Sequence, residues 1–101
     1  LKITLNVRTI IMCIEFDQSK RDKTYIERGL EFASAAEIFT LKHLTVEDTR
    51  NAYSEPRFQT MGWLEGRIVM VVWTSRGKYK RIISMRKANE REIAKVKRYL
   101  D

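Results

Sequence analysis

The stretch RIVMVVWTSRGKYKRIISMR, Arg67–Arg86, decides how the rest of the chain is read. Ile68 to Trp73 is an unbroken apolar run rich in β-branched residues, which predicts a central strand covered on at least one side. Ser75, Arg76, Gly77 and Lys78 carry the turn chemistry that separates it from a second strand, Tyr79 to Met85. Strict alternation along that second strand sets Tyr79, Arg81, Ile83 and Met85 on one face and Lys80, Ile82, Ser84 and Arg86 on the other. Arginines among core residues are costly to bury unless they are paired or stand at a wet cleft. The hairpin is therefore expected to be a working surface as well as a scaffold. An amphipathic edge strand whose long basic side chains reach out to solvent fits the composition equally well.

The rest of the chain supplies the partners of this hairpin. Arg57 to Trp63 alternates after Pro56, and Leu64-Glu65-Gly66 turns it into the central strand, so Arg57 to Arg86 is expected to be a meander of three antiparallel strands. Upstream, Ile3–Val7 and Ile10–Glu15 are two further strand segments. Asp17 is a candidate N-cap for a polar helix that ends at Arg28, with Gly29 as its stop. Leu30 to Phe39 predicts a second helix, because Phe32, Ala35, Ala36 and Phe39 fall on one face. His43 to Glu47 fits a short strand, and Ala88 to Leu100 a closing helix with Ile93, Val96 and Leu100 turned inward. The expected fold class is α+β, a bent antiparallel sheet with two N-terminal helices and a C-terminal helix. Residues 1–101 suit a single domain. Met12 is an alternative start, which would make part of residues 1–13 an N-terminal extension.

Charge is the next constraint. The net charge is +7. Residues 1–66 hold 9 Lys/Arg and 10 Asp/Glu, a balance of −1, whereas residues 67–101 hold 11 and 3, a balance of +8. Such asymmetry predicts attraction to an anionic partner, nucleic acid or an acidic protein segment. No apolar run approaches the roughly 18 residues a membrane helix needs, so no membrane partner is expected. Cys13, the only cysteine, is compatible with a reducing cytoplasm. His43, the only histidine, has no nearby ligand partner in sequence, and neither a metal nor another cofactor is expected.

No serine–histidine–aspartate set, phosphate-binding glycine loop or zinc cluster is present. What remains is a basic strand surface with Arg57, Lys80, Arg81 and Arg86, to which the first helix could add Lys20 and Arg28. Guanidinium groups hold phosphate through forked hydrogen bonds and stabilise charge that builds on phosphorus. Attack by a neighbouring 2′-hydroxyl cleaves RNA without a metal, and Trp73 or Tyr79 could stack on a splayed base. Arginine normally stays protonated, so Lys20, Glu55 or the substrate itself would serve as base. On composition alone, a non-catalytic basic module that binds nucleic acid or protein is at least as well supported as an enzyme.

The residue order resembles the BrnT family, ribonuclease toxins of bacterial type II toxin–antitoxin systems with a RelE-like fold. The similarity runs from about Ile14 to Tyr99. Ile14-Glu15-Phe16-Asp17 matches the opening signature, followed by Lys20, and Glu27-Arg28-Gly29-Leu30 with Phe32 matches the family turn. Ala35 and Phe39 match its recurring alanine and phenylalanine, Asp48 and Arg50 its acidic–arginine pair, Ser54-Glu55-Pro56-Arg57 its middle segment, and Gly62 its later glycine. The most specific match is Arg81-Ile82-Ile83-Ser84-Met85-Arg86-Lys87-Ala88, continued by Asn89 and Glu92. The resemblance implies an endoribonuclease that inhibits translation. Taken with the basic strand surface, it makes Arg81, Arg86, Arg57 and Lys20 the catalytic candidates, and the surface itself offers Arg28, Lys80, Trp73 and Tyr79 for binding substrate. The resemblance also implies a BrnA-like protein antitoxin, contact with operator DNA only through the antitoxin complex, and room for a homodimer within that complex. The family's histidine is Arg28 here, and its asparagine is Thr24. If that histidine moves a proton, this chain is slower, uses another base or no longer cleaves RNA; if it positions phosphate, arginine keeps the role.

Overall fold

The apolar run of the central hairpin lies in the middle of β5 (Arg67–Arg76), where Ile68, Val69, Met70, Val71 and Trp73 are all buried, so the strand is covered on both faces. A computed structural model describes the backbone of residues 2–7 and 10–101, with side chains for residue 2 and residues 13–101. The other strands are β1 (Lys2–Val7), β2 (Ile10–Phe16), β3 (His43–Asp48), β4 (Arg57–Leu64) and β6 (Tyr79–Lys87). They form one six-stranded sheet in the order β1-β2-β6-β5-β4-β3. Strands β3 to β6 are the expected antiparallel meander with β3 added at its edge. The sheet as a whole is mixed, however, because β2 joins β6 in parallel. The chain between those two strands crosses over through helices and returns, a connection that favours parallel pairing.

Helix α1 (Gln18–Arg28) matches its sequence signals: the Asp17 carboxylate accepts from the Lys20 backbone N–H at 3.0 Å, and Gly29 closes the helix at φ 70°. A left-handed C-cap of this kind suits glycine because it has no Cβ. The second helix departs from expectation. Phe32–Ser34 is a single 3-10 turn, and only Ala35–Thr40 (α2) is α-helical. Glu31 explains the late start, since its carboxylate caps the Ala33 N–H and also takes the guanidinium of Arg21 from α1, which fixes an extended residue where helix was expected. The expected apolar face survives the break in part: Phe32, Ala35 and Ala36 are buried, Phe39 packs half-buried beside them, and Ile38, not expected there, is buried instead. Helix α3 (Glu90–Leu100) starts at a full capping box, with the Asn89 side chain on the Glu92 N–H and the Glu92 side chain on the Asn89 N–H.

The two faces of the sheet are covered differently. On one face, Val69, Val71, Trp73, Ile82, Met85, Ile14 and Phe16 pack with Leu30, Phe32, Ala35, Ala36 and Ile38 from the helical segment. On the other, α3 presses Val96 and Leu100 onto Ile68, beside Leu44, Met61 and Trp63. Helix α3 covers one end of that second face, and the remainder carries the charged residues described next.

Alternation along β6 is interrupted. Val72 stands opposite Ser84 and Trp73 opposite Ile82, so Ile83 is an extra residue without a partner position on β5. Such a bulge reverses which face the following residues take. Ile82 and Met85, three apart, are therefore both buried on the helical face. The facial assignment expected from strict alternation is corrected accordingly: Arg81 and Arg86 share a face instead of opposing each other.

Candidate functional site

The uncovered part of the second face is organised as a row across five strands. Asp48 of β3 stands opposite Arg57 of β4, Thr74 of β5 opposite Arg81 of β6, and Glu15 of β2 beside Arg81. Phe58 opposite Trp73 sets Arg57 level with Thr74. With strands about 4.8 Å apart, the α-carbons of Arg57 and Arg81 are about 10 Å apart across the buried threonine. Arg86 is two rows further along, beside Met70, about 13 Å from Arg81 along the strand. The register thus brings Arg57, Arg81 and Arg86 together on one face.

Each guanidinium is held differently. Arg81 donates from Nη1 to Glu15 at 2.8 Å. That hydrogen bond holds the mostly buried Glu15 carboxyl below the usual carboxylate range. Arg86 grips both oxygens of Glu92 at 2.7 Å, and its Nη2 lies 3.5 Å from the Met70 sulfur. Arg57 is the exception. Among the described residues it is the one arginine of this row without a carboxylate at ion-pair distance, and its guanidinium lies 4.2 Å over the ring of Tyr53. Its Nε is buried without a hydrogen-bond partner. A cation–π contact holds a guanidinium by its charge and uses none of its N–H groups as donors to a carboxylate, which suits it to an incoming anion.

The loop between β3 and β4 completes the surface. Asp48 is buried and accepts both Nε and Nη2 of Arg50 at 2.9 Å, together with the Tyr53 hydroxyl at 3.2 Å. The Arg50 pair holds its carboxyl far below the ordinary range. Glu55 receives Nη2 and Nε of Arg76 at 2.9 and 3.1 Å. That contact lowers the Glu55 pKa, with further pulls from Arg57 and Arg81, so this carboxylate lies in the field of both row arginines.

The other candidates are distributed as follows. Tyr79 is level with Arg76 on the same face as Arg81, half-buried with the Lys2 ammonium 5.1 Å over its ring. Arg28 reaches the open edge of β6 beyond the end of β2 and donates to the Met85 carbonyl at 2.7 Å, one residue from Arg86. Lys20 is exposed in the first turn of α1, and no contact among the described residues draws it to the row. Trp73 and Lys80 are corrections. Trp73 is 9% exposed on the helical face, its indole N–H bonded to Thr60 at 2.8 Å, so it is a core residue and not a base platform. Lys80 lies on that same side, 4.2 Å over the Trp73 ring, and burial pulls its pKa down. Alternation places both residues opposite Arg81, as the sequence reading already implied for Lys80. Sequence reasoning missed Tyr53 as a platform for Arg57; the loop offered no periodic signal, and only the fold of residues 48–57 brings it over.

Among the described residues no helix is long and apolar enough to cross a membrane. The family described as "Ribonuclease toxin, BrnT, of type II toxin-antitoxin system" matches residues 16–92. No curated protein matches the chain.

Proposed function

The chain belongs to the BrnT family of ribonuclease toxins of type II toxin–antitoxin systems, and from that premise we propose that it is a metal-independent endoribonuclease whose site is the arginine row of the second sheet face. The observation that carries this reading is the convergence of Arg57, Arg81 and Arg86 on the sheet face that α3 covers only at one end. Arg57 and Arg81 hold the scissile phosphate from two sides over Thr74, and Arg86, with Arg28 at the strand edge, holds a neighbouring phosphate. Tyr53 or Tyr79 supports a splayed base.

In this mechanism the 2′-oxygen attacks the adjacent phosphorus while the bond from phosphorus to the 5′-oxygen breaks. The 2′-hydroxyl proton passes to Glu55, whose ionised state is secured by Arg76, and the departing 5′-oxygen takes a proton from water. The products are a 2′,3′-cyclic phosphate and a 5′-hydroxyl. Two guanidiniums fixed before the substrate arrives favour the extra negative charge of the pentacoordinate state over that of the ground-state phosphodiester. The lost histidine is no obstacle on this reading, because Arg28 serves phosphate contact and leaves proton transfer to the carboxylate.

The biological reading follows from the family. A cytoplasmic toxin of this kind cleaves cellular RNA and inhibits translation, and a BrnA-like antitoxin neutralises it. Operator DNA is contacted only through that complex, and the toxin fold is RelE-like. The antitoxin shares the arginine face with RNA, so neutralising its charge and excluding substrate happen together. The test is incubation of metal-stripped protein with single-stranded RNA in chelator, beside Arg81→Ala, Arg86→Ala and Arg57→Ala variants. The expected result is cleavage with cyclic-phosphate ends and a loss in the variants that falls more on turnover than on affinity. RNA that is bound but left intact would establish the non-catalytic module instead.

A further inference from the structure

Beside the β4–β5 turn a groove of about 510 Å³ opens against α3. Its floor is apolar, made of Trp63, Ile68 and Ile93, and three cations, Arg67, Lys87 and Lys97, stand at its rim with no carboxylate among the lining residues. All three cations are exposed, and none has an ion pair among the described residues. This contrasts with the arginine row, where most guanidiniums already have a carboxylate. At 100° per residue, Ile93 and Lys97 lie on one side of the buried Val96–Leu100 stripe and Glu92 on the other, so α3 separates the groove from Arg86.

We infer that this groove docks an acidic amphipathic segment of a partner protein, its apolar side chains on Trp63, Ile68 and Ile93 and its carboxylates on Arg67, Lys87 and Lys97. The charge decides between occupants. A second copy of this chain would bring its own net charge of +7 to a cationic rim, whereas an acidic segment neutralises the rim and buries the floor. Nucleic acid would satisfy the cations and stack a base on Trp63, but it offers few apolar groups to Ile68 and Ile93, which an amphipathic peptide covers together with the indole. A half-buried tryptophan ringed by charge is also the composition in which binding energy concentrates at protein interfaces. The inference stands on the groove alone, separately from the ribonuclease reading.

Random peptides displayed on phage and selected on the intact protein test it, with Lys87→Glu/Lys97→Glu as the counter-variant. Both lysines are exposed, so the variant keeps the fold, which thermal melting checks. The expected outcome is enrichment of peptides that space Asp and Glu among large apolar residues. Synthetic copies of these should perturb tryptophan fluorescence and bind the counter-variant about tenfold or more weakly at low salt, the gap narrowing as salt rises. Selected peptides without acidic bias, or undiminished binding to the counter-variant, would overturn the inference. So would a dimer in sedimentation that the charge reversal abolishes, or a single-stranded oligonucleotide that outcompetes the peptides for the groove. RNA cleavage measured on the same variant keeps the two readings apart: lost peptide binding with intact cleavage supports the groove and leaves the ribonuclease site untouched.

Discussion

Replacing Glu92 by glutamine isolates what the Arg86 ion pair contributes. Glu92 accepts two hydrogen bonds from Arg86 at 2.7 Å and one from the Asn89 N–H at 2.9 Å. Its carboxyl is held down from 4.5 to about 2, first of all by Arg86. That difference of about 2.5 on the pH scale corresponds to about 3.4 kcal/mol at about 1.36 kcal/mol per unit. The Arg86 side chain is 42% exposed, so water screens part of it, and about 2 kcal/mol is the expected net value. Because the folded carboxyl is the more acidic, this stability is fully present above about pH 4.5 and drains away as pH falls toward 2. Glutamine can still accept from the Asn89 N–H, so the capping box is kept while the charge is lost. Urea unfolding of both proteins near neutral pH should show Glu92→Gln less stable by about 2 kcal/mol, with a melting temperature lower by about 10 °C. Near pH 3 the gap should shrink to less than half. Released from its carboxylate, Arg86 should also bind RNA as tightly as in the parent or more tightly. A gap below about 0.5 kcal/mol at neutral pH, or one that does not change with acidification, would refute the reasoning. So would a double-mutant cycle with Arg86→Ala that shows no coupling.

Three further outcomes are expected. Gly62→Ala places a Cβ 2.7 Å from Cγ2 of the buried Ile38 and 3.3 Å from Cβ of His43; calorimetry should show a loss of about 1–3 kcal/mol, and an unchanged melt would mean the helix–sheet contact is looser than described. Glu55→Gln should reduce turnover about a hundredfold or more while RNA affinity holds. Since Arg76 keeps Glu55 ionised below its ordinary 4.5, the parent rate should not fall until the solution is more acidic than that, and a rate that halves near neutral pH would point to a different base. Arg28→Ala should weaken RNA binding and spare turnover, and Arg28→His should add a titration near pH 6.5 to the rate. An alanine variant indistinguishable from the parent, with a flat profile for the histidine variant, places Arg28 outside the site.

Much of the architecture was legible in the sequence because it rests on local signals. The apolar run Ile68–Trp73, the caps at Asp17 and Gly29, the turn at Glu65-Gly66 and the inward stripe of Val96 and Leu100 each act over a few residues, and each is present where its chemistry placed it. The candidate arginines were legible too, as basic residues in a strand that also builds the core. Tertiary structure decided how they combine. The bulge at Ile83 turns Arg86 to the face of Arg81, whereas strict alternation sets them apart, and nothing within β6 announces it. It arises because Ile82 and Met85 both bury against the helical segment, a gain that exists only once Phe16 and Phe32 are in place. The parallel partnership of β2, which delivers Glu15 to Arg81, links residues far apart in the chain and likewise has no local signature. Local chemistry chose the elements; burial against distant residues chose the register, and the register is what assembles the arginine row.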